Sequence, residues 1–361
     1  MVGYIPARKA VVWLAITHLS VILAGCSPQD RSGDPSSFLA LAGSRQLEVP
    51  IFVTSTRREH SRTNHPHFSL VSVSIPPNHR PGVIERASIG PNTAGRHFAI
   101  LSWQDLNESA FLEEIATRAS SGGAGRDILL YVHGYDITLD EARFRTAQLV
   151  ADSGFAGIPA LFTWDSISRS GLAAYEADKE SATAARDELE RLILRLSNTH
   201  GVGRVHILAH SMGAWLAMES LRGIAISGHP DLDGRLGEVM LAAPDIDFNV
   251  FAQQLARVGP DHVTVFVSGT DRALALSSRI AGDRPRLGGL DPNNQQSREA
   301  LEALGVSFYD LSRLNTDFVG HNTFAEVPSV VRQIGAQLAA SGESGETDSG
   351  HFEVSEAVNE R

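Results

Sequence analysis

Three side chains with complementary chemistry, Ser211, Asp271 and His321, follow one another along the sequence. A serine hydroxyl becomes a nucleophile when a histidine takes its proton, and a carboxylate holds that histidine in the reactive tautomer. Ser211 lies in Ala209-His210-Ser211-Met212-Gly213, which matches the G-x-S-x-G nucleophile elbow except for alanine at the first position. Alanine adds only a methyl group, so we treat this departure as tolerable.

The residues around Ser211 predict the strand and the helix that an elbow requires. Val205, Ile207 and Leu208 indicate a short buried strand, and Ala214 to Met218 is rich in helix-forming residues. A sharp turn between them would expose the serine oxygen and aim the N-terminus of the helix at developing negative charge. The alternative is a serine in an ordinary strand–helix loop.

The base is sought among the histidines after the elbow, because this arrangement places serine first, then the acid, then histidine. Four candidates remain: His229, His262, His321 and His351. His229 precedes a predicted strand, His262 enters one at its wrong end, and His351 lies in the tail. His321 stands between the last predicted strand and the last predicted helix, where the base belongs. The alternative role for His321 is helix capping.

Two aspartates compete for the acid, because each follows the end of a predicted strand. Asp271 comes after VTVFVSGT at the end of the penultimate strand, and Asp245 comes after VMLAAP at the end of the strand before it. We favour Asp271 and keep Asp245 as the alternative acid.

An oxyanion needs two backbone N–H groups that converge on one point. The residue after the nucleophile, Met212, supplies one of them. Tyr135 is the candidate for the second, because it follows the predicted strand Ile128 to Val132, and Gly134 allows a sharp turn there. A plain glycine turn is the alternative.

The wider sequence predicts an α/β fold with a mainly parallel central sheet, covered by helices on both faces. Strands and helices alternate from Ile128, and the continuously apolar ILLYV is typical of a central strand. Thr138-x-x-Glu141 predicts a capping box, and we expect helices from Lys179 to Leu196 and from Phe324 to Leu338. Further strands are predicted at Val49–Val53, Phe68–Ile75 and His97–Leu101, as extra edge strands.

The N-terminus resembles a bacterial lipoprotein signal. Arg8 and Lys9 precede an apolar run from Ala10 to Leu23, and Leu23-Ala24-Gly25-Cys26 follows as a lipobox. We therefore predict a signal peptide over residues 1–25, lipidation of Cys26 and attachment to the membrane. Ser27 after the cysteine resembles an outer-membrane address, which predicts a location in the bacterial envelope facing the periplasm. A short transmembrane anchor and an ordinary signal peptide are the alternatives.

Segment boundaries follow from composition. Residues 26–46 read as a flexible tether, 47–340 as the catalytic domain with its N-terminal β extension, and 341–361 as an acidic disordered tail. The formal net charge of −11 argues against a nucleic-acid partner, and one cysteine in 361 residues rules out an internal disulfide. We predict no metal and no cofactor, and no protein partner is indicated.

Taken together, these motifs resemble the α/β-hydrolase superfamily, in particular a bacterial branch of hydrolases of unknown function that includes lipoproteins. The resemblance also rests on FTWDS at 162–166, DKESATAARDEL at 178–189 and LAAPDID at 241–247. Two positions depart from that branch: Asp136 stands where Asn is frequent, and Asp165 where Pro is. The resemblance implies an α/β-hydrolase fold and a serine hydrolase, esterase-like, that cleaves small acyl esters through an acyl-enzyme. A non-catalytic binding or scaffold module and an acyltransferase remain as alternatives.

Overall fold

The structure, a computed structural model, describes residues 46–57, 65–121, 124–166, 171–314, 318–340 and 351–353. All of them belong to one unit, Arg45–Arg361. The predicted signal peptide, Cys26 and the tether up to residue 45 lie outside the described residues, as does most of the predicted tail. None of the helices described is long and apolar enough to cross a bilayer.

Ten strands of the described chain form one sheet in the spatial order β10-β9-β8-β7-β6-β4-β5-β1-β2-β3. The strands are β1 Leu47–Ser55, β2 His67–Ile75, β3 Ala99–Leu106, β4 Ile128–Val132, β5 Ile158–Thr163, β6 Val205–His210, β7 Leu236–Ala242, β8 Val263–Val267, β9 Ser307–Asp310 and β10 His351–Glu353. Neighbours from β10 to β1 pair in parallel, whereas β2 and β3 add as antiparallel strands at the edge. This confirms the predicted α/β-hydrolase fold with extra N-terminal strands.

Nine α-helices connect and cover these strands in the described ranges. They are α1 Glu108–Ser120, α2 Leu139–Ser153, α3 Leu172–Asn198, α4 Met212–Ile226, α5 Phe248–Val258, α6 Arg272–Ile280, α7 Gln295–Ala303, α8 Thr323–Glu326 and α9 Pro328–Ala340. The capping box predicted for α2 is present. The Thr138 side chain accepts a hydrogen bond from the N–H of Glu141, and the Glu141 carboxylate accepts one from the N–H of Thr138.

The central strand β4 shows why both faces of the sheet carry helices. Its five residues are all buried, and their side chains alternate between two hydrophobic clusters. Ile128, Leu130 and Val132 pack with α1, α3, α4 and α5, while Leu129 and Tyr131 pack with α2 and α9. Because apolar surface on each face needs a covering layer, the continuous apolar run fixes a doubly covered sheet.

The order of strands also positions the site. From β4 the chain goes to β5 on one side and later returns to β6 on the other side of β4. The connections that leave the carboxyl ends of β4 and β6 therefore diverge, and ligands of open α/β sheets bind in the crevice at such a point.

Several predicted elements differ from the structure in their boundaries, and the helix predicted from Lys179 to Leu196 extends over Leu172–Asn198. The third strand begins at Ala99 and continues to Leu106, and the last helix is divided into α8 and α9. The division falls before Pro328, because proline has no N–H for an intrahelical bond and restricts the residue before it. In the tail, His351–Glu353 pair in parallel with β9.

Hydrogen bonds of His79 attach the loop between β2 and β3 to α2. His79 Nδ1 lies 2.8 Å from Glu85 Oε2, and His79 Nε2 lies 2.8 Å from Asp152 Oδ1. Burial lowers the pKa of His79, but the hydrogen bonds to Asp152 and Glu85 outweigh burial and leave the pKa raised. The pKa of Asp152 is lowered, since bonds from His79, Gln148 and the N–H of Gly82 outweigh its burial.

Candidate active site

Ser211 occupies the turn between β6 and α4 in a strained backbone conformation. Its φ is 55° and its ψ is −121°, values that cost a non-glycine residue of order 1–3 kcal/mol. The turn is held from outside, because the N–H of Ser211 donates to Ala242 O at 2.9 Å and the N–H of Asp245 donates to Ser211 O at 3.2 Å. The predicted strand and helix are therefore both present, and the turn places Ser211, which is otherwise buried, in the lining of a cleft.

Two glycines permit the close approach of backbone around Ser211. A Cβ on Gly213 would lie 2.2 Å from His133 O, and a Cβ on Gly134 would lie 2.9 Å from Ser211 Cβ. Ala209, at the position where the elbow pattern has its first glycine, is fully buried in the core cluster that covers this face. The structure thus has room for the methyl group at 209 and no room for one at 213.

The structure brings His321 and Asp271 together. His321 lies on the loop between β9 and α8, and its Nδ1 is 2.7 Å from Asp271 Oδ2. The Asp271 side chain is fully buried, and its other oxygen accepts from the N–H of Leu274 at 3.0 Å as the N-cap of α6. Since Nδ1 is turned to the carboxylate, Nε2 is the ring nitrogen that remains for proton transfer.

Asp245, the alternative acid, lies among other partners. Tyr175 Oη donates to Asp245 Oδ2 at 2.7 Å, and Ser277 Oγ donates to Asp245 Oδ1 at 2.6 Å. Arg286 Nε lies 3.2 Å from Asp245 Oδ1. The carboxylate that contacts His321 is therefore that of Asp271, while both oxygens of Asp245 are engaged elsewhere.

The two residues expected to supply N–H groups to an oxyanion, Met212 and Tyr135, both lie near Ser211 in the fold. Met212 is the first residue of α4, where an N–H has no acceptor within the helix. Tyr135 follows Gly134, whose backbone packs against Ser211, and Tyr135 lines the same cleft as Ser211 and His321. Asp136, the next residue, has φ 57°. Asp and Asn tolerate this left-handed conformation better than other non-glycine residues, which accounts for Asp where the resembling branch often has Asn.

The cleft at Ser211 has a volume of about 190 Å³ and is largely apolar. Its apolar walls come from α6 and the start of α3, and its polar groups are Ser211, His321, Asp245 and Ser277. At its mouth Leu172 and Leu276 remain 57% and 58% exposed. Two larger depressions have volumes of about 350 and 590 Å³, and none of the predicted site residues lines either of them.

A buried cluster that sequence reasoning did not find supports the Gly134 turn. The His133 ring stacks on Trp164 at 5.2 Å, and Trp164 Nε1 donates to His133 O at 3.0 Å. Thr163 Oγ1 lies 2.9 Å from His133 Nε2 and accepts from Arg57 Nε at 2.8 Å. Burial, with the positive charge of Arg57, lowers the pKa of His133 to about 3, so its ring is neutral. The FTWDS motif was the available signal, because it contains two of these residues.

His210, the residue before the nucleophile, is fully buried next to His321. Burial lowers its pKa well below the usual value, and the nearby His321 lowers it further. His210 is therefore neutral, and it contributes a hydrogen bond without a charge. Among the described residues, no three His, Cys, Asp or Glu side chains converge as a metal ion would require.

A family model and several solved structures are similar to this chain. A family model described as an alpha/beta hydrolase of unknown function (DUF900) matches residues 107–340. Among curated proteins, no match was found. Solved structures that resemble the chain include an esterase from Pyrobaculum calidifontis, at 11% identity over 83% of this chain and 87% of that one, with a TM-score of 0.37. A predicted CIB-like hydrolase from Thermoplasma acidophilum is 13% identical over 82% of this chain and 100% of that one, with a TM-score of 0.36.

Proposed function

The chain belongs to the family of alpha/beta hydrolases of unknown function (DUF900), and from this premise we propose that it is a serine esterase that uses Ser211, His321 and Asp271. The observation that carries the proposal is the 2.7 Å contact between His321 Nδ1 and Asp271 Oδ2. His321 and the strained Ser211 line one cleft. A nucleophile, a base and an orienting acid then stand at the carboxyl edge of a parallel sheet, where this chemistry is performed in such folds.

The proposed reaction proceeds in two steps. Ser211 Oγ attacks the acyl carbon while His321 Nε2 takes its proton, and the N–H groups of Met212 and Tyr135 stabilise the oxyanion. His321 then gives the proton to the leaving alcohol, and an acyl-enzyme remains. Water attacks the acyl-enzyme by the same route and releases the acid and free Ser211. Asp271 orients His321 throughout and takes up no proton in the proposed steps.

Esters of small acyl groups are the substrate class that the cleft favours. At roughly 30 Å³ for each water-sized group, the cleft of about 190 Å³ accommodates a group of about six non-hydrogen atoms. Most of its lining is apolar, so the bound group gains from leaving water. We therefore expect p-nitrophenyl acetate and butyrate to be hydrolysed faster than the palmitate ester.

Labelling with a fluorophosphonate probe tests the nucleophile directly, because the probe phosphonylates an activated serine. We expect the wild-type protein to be labelled and Ser211→Ala to lose both labelling and at least about 10⁴-fold in kcat for p-nitrophenyl butyrate. Ser220→Ala is the matched control, because Ser220 is buried in the same helix and its hydroxyl lies within hydrogen-bond distance of Leu216 O and Arg186 O. Labelling that persists in Ser211→Ala excludes the proposed nucleophile, and a wild-type protein that is neither labelled nor active favours the binding-module alternative. Faster transfer to added alcohol than to water identifies an acyltransferase.

We also propose that the enzyme is anchored to the bacterial envelope, at the outer membrane facing the periplasm, through a lipid on Cys26. The support is the basic, apolar and lipobox order of residues 8–26 in the sequence. Metabolic labelling with palmitate and membrane fractionation test this. Wild-type protein should carry the label and sediment with outer membranes, and Cys26→Ser should lose the label. Equal labelling of both proteins contradicts the anchor.

A further inference from the structure

One wall of the cleft at Ser211 carries polar groups, and we call it the acceptor corner: Tyr175, Asp245 and Ser277 line the cleft, and Arg286 pairs with Asp245. Tyr175, Asp245 and Ser277 line the cleft together with Ser211 and His321. The side chains of Asp245 and Arg286 are only 4% and 9% exposed, and Ser277 is 4% exposed. The corner is therefore a built, buried feature, and the proposed reaction gives it no role.

The positions of the hydroxyl protons follow from the distances. Tyr175 Oη lies 2.7 Å from Asp245 Oδ2, and Ser277 Oγ lies 2.6 Å from Asp245 Oδ1. Hydrogen bonds to an ionised carboxylate are about twice as strong as neutral ones, so each hydroxyl gives its single proton to Asp245. Tyr175 Oη and Ser277 Oγ also lie 3.0 Å from one another. With both protons committed to the carboxylate, no hydrogen remains between these two oxygens.

The corner is electrically balanced. Arg286 Nε lies 3.2 Å from Asp245 Oδ1, and this contact is an ion pair rather than an aligned hydrogen bond, since the buried Nε finds no hydrogen-bond acceptor. Burial raises the pKa of the Tyr175 phenol, and the Asp245 charge raises it further. Tyr175 therefore keeps its proton and can donate it to Asp245.

We propose that the acceptor corner binds a hydroxyl group of the substrate, which makes hydroxylated esters the preferred substrates of the proposed esterase. The inference rests on the proposed function and specifies its substrate class. Two hydroxyl oxygens that have already donated their protons can only accept, and an O–H that faces the pair from the cleft can share its one proton with both in a bifurcated hydrogen bond. A purely aliphatic group would bury these oxygens without a donor, which is costly in an apolar site.

Charge distinguishes a hydroxyl from ionised groups. Of the acceptor corner, a substrate carboxylate in the cleft would meet the oxygens of Tyr175, Asp245 and Ser277, since Arg286 is not part of the cleft lining, and it would be repelled. A substrate ammonium would lose its hydration next to a carboxylate whose charge Arg286 already balances. A neutral donor pays neither cost, so the corner selects an alcohol.

Matched pairs of esters test the proposal. On the acyl side, p-nitrophenyl 2- and 3-hydroxybutyrate are compared with p-nitrophenyl butyrate. On the alcohol side, 2-hydroxyethyl butyrate is compared with propyl butyrate. We expect kcat/KM to be about 10-fold higher for the hydroxylated member in at least one series. Equal values, or a preference for the unsubstituted ester, in both series overturn the proposal. Preference for an ammonium ester, such as p-nitrophenyl 4-aminobutyrate, over the hydroxylated one also overturns it.

Variants assign the preference to the corner. Tyr175→Phe and Ser277→Ala each remove one of the two oxygens, and each should reduce the preference to about twofold or less while p-nitrophenyl butyrate is still hydrolysed. Tyr309→Phe is the control, because its hydroxyl bonds to Gln333 and Gln337, outside the cleft. A preference that survives in both corner variants refutes the inference, and circular dichroism identifies any variant that fails to fold. Fluorophosphonate labelling of wild-type protein separates the two failures: a labelled enzyme without hydroxyl preference loses only this inference, and an unlabelled one loses the proposed function.

Discussion

His210 Nε2 lies 3.1 Å from the main-chain oxygen of His321, and the two imidazole rings pack with their centroids 4.6 Å apart. A carbonyl oxygen only accepts, so His210 Nε2 carries the proton and donates it. Phe324 covers the other side of His210 at a centroid distance of 4.7 Å. The residue before the proposed nucleophile thus holds the backbone of the proposed base.

Replacing His210 tests this positioning role. His210→Phe keeps an aromatic ring and removes the donor, and we expect kcat to fall about fivefold with KM nearly unchanged, since one hydrogen bond contributes about 1 kcal/mol. His210→Gln, which retains a side-chain N–H, should recover part of the loss. His206→Asn is the control, because His206 is equally buried on the same strand and contacts Glu238 instead. A loss of stability without a change in kcat would show that His210 only fills space.

Two conservative variants distinguish the acids. Asp271→Asn should lower kcat by about 10³–10⁴-fold, because the histidine loses the carboxylate that sets its tautomer. Asp245→Asn should lower kcat for p-nitrophenyl butyrate by about 10-fold or less and should reduce the melting temperature, since it disturbs a buried ion pair. Steady-state kinetics and thermal melts measure both. The opposite ranking of the two kcat values would assign the acid to Asp245.

We expect the elbow to tolerate the loss of the methyl group at position 209 and not to tolerate the addition of one at position 213. Gly213→Ala places a Cβ 2.2 Å from His133 O, so we expect a loss of several kcal/mol in unfolding free energy and no measurable activity. Ala209→Gly should keep kcat within about twofold and cost about 1–2 kcal/mol, because glycine adds backbone entropy to the unfolded chain and the buried methyl group of Ala209 is lost from the core. Urea titrations give both free energies. A tolerated Gly213→Ala would contradict the tight contact of α4 with the β4 loop.

The pair of His79 and Asp152 predicts a pH-dependent part of the stability. The pKa of His79 is raised above its ordinary value of 6.5. The contribution of His79 to the free energy of unfolding is therefore complete below pH 6.5 and is lost as the pH rises through the pKa of the folded state. The pKa of Asp152 is lowered from 3.8. The contribution of Asp152 to the free energy of unfolding is therefore present above pH 3.8 and is lost as the pH falls through the pKa of the folded state. The melting-temperature difference between wild type and His79→Ala should therefore be larger at about pH 5.5 than at about pH 9.

An exposed pair provides the control for that measurement. His229 and Asp233 lie 3.1 Å apart, with side chains that are 48% and 71% exposed, and exposed pairs contribute little. His229→Ala should leave the melting temperature unchanged at both pH values. A pH-independent difference for His79→Ala would mean that His79 acts through packing against Phe98, at 5.2 Å, rather than through charge.

The parts of the fold that the sequence predicts are those written in local patterns. The apolar run of β4, the capping box at Thr138 and the strand–turn–helix at Ser211 each need only neighbouring residues. The position of His321 followed from chain order, because one edge of a parallel sheet receives all the carboxyl-terminal loops. Helices α1 and α6 were not predicted, although α6 forms much of the cleft.

The contacts between distant segments could not be predicted. Asp245 and Asp271 both follow strands, and only the path of each loop decides which carboxylate meets His321. Tyr175 and Ser277 are 102 residues apart in sequence yet 3.0 Å apart at their oxygens. No periodicity encodes such a pairing, because it depends on how α3 and α6 pack across the cleft.

Asp271 serves two structures with one carboxyl group. One oxygen begins α6, whose side chains bound the space for the substrate, and the other fixes the imidazole that would move the proton. A shift of α6 to admit a bulkier substrate would therefore pull on the base as well. If the proposed esterase acts as described, the range of substrates and the turnover rate depend on the same residue, and variants selected for larger esters should need a second change that restores the alignment of His321.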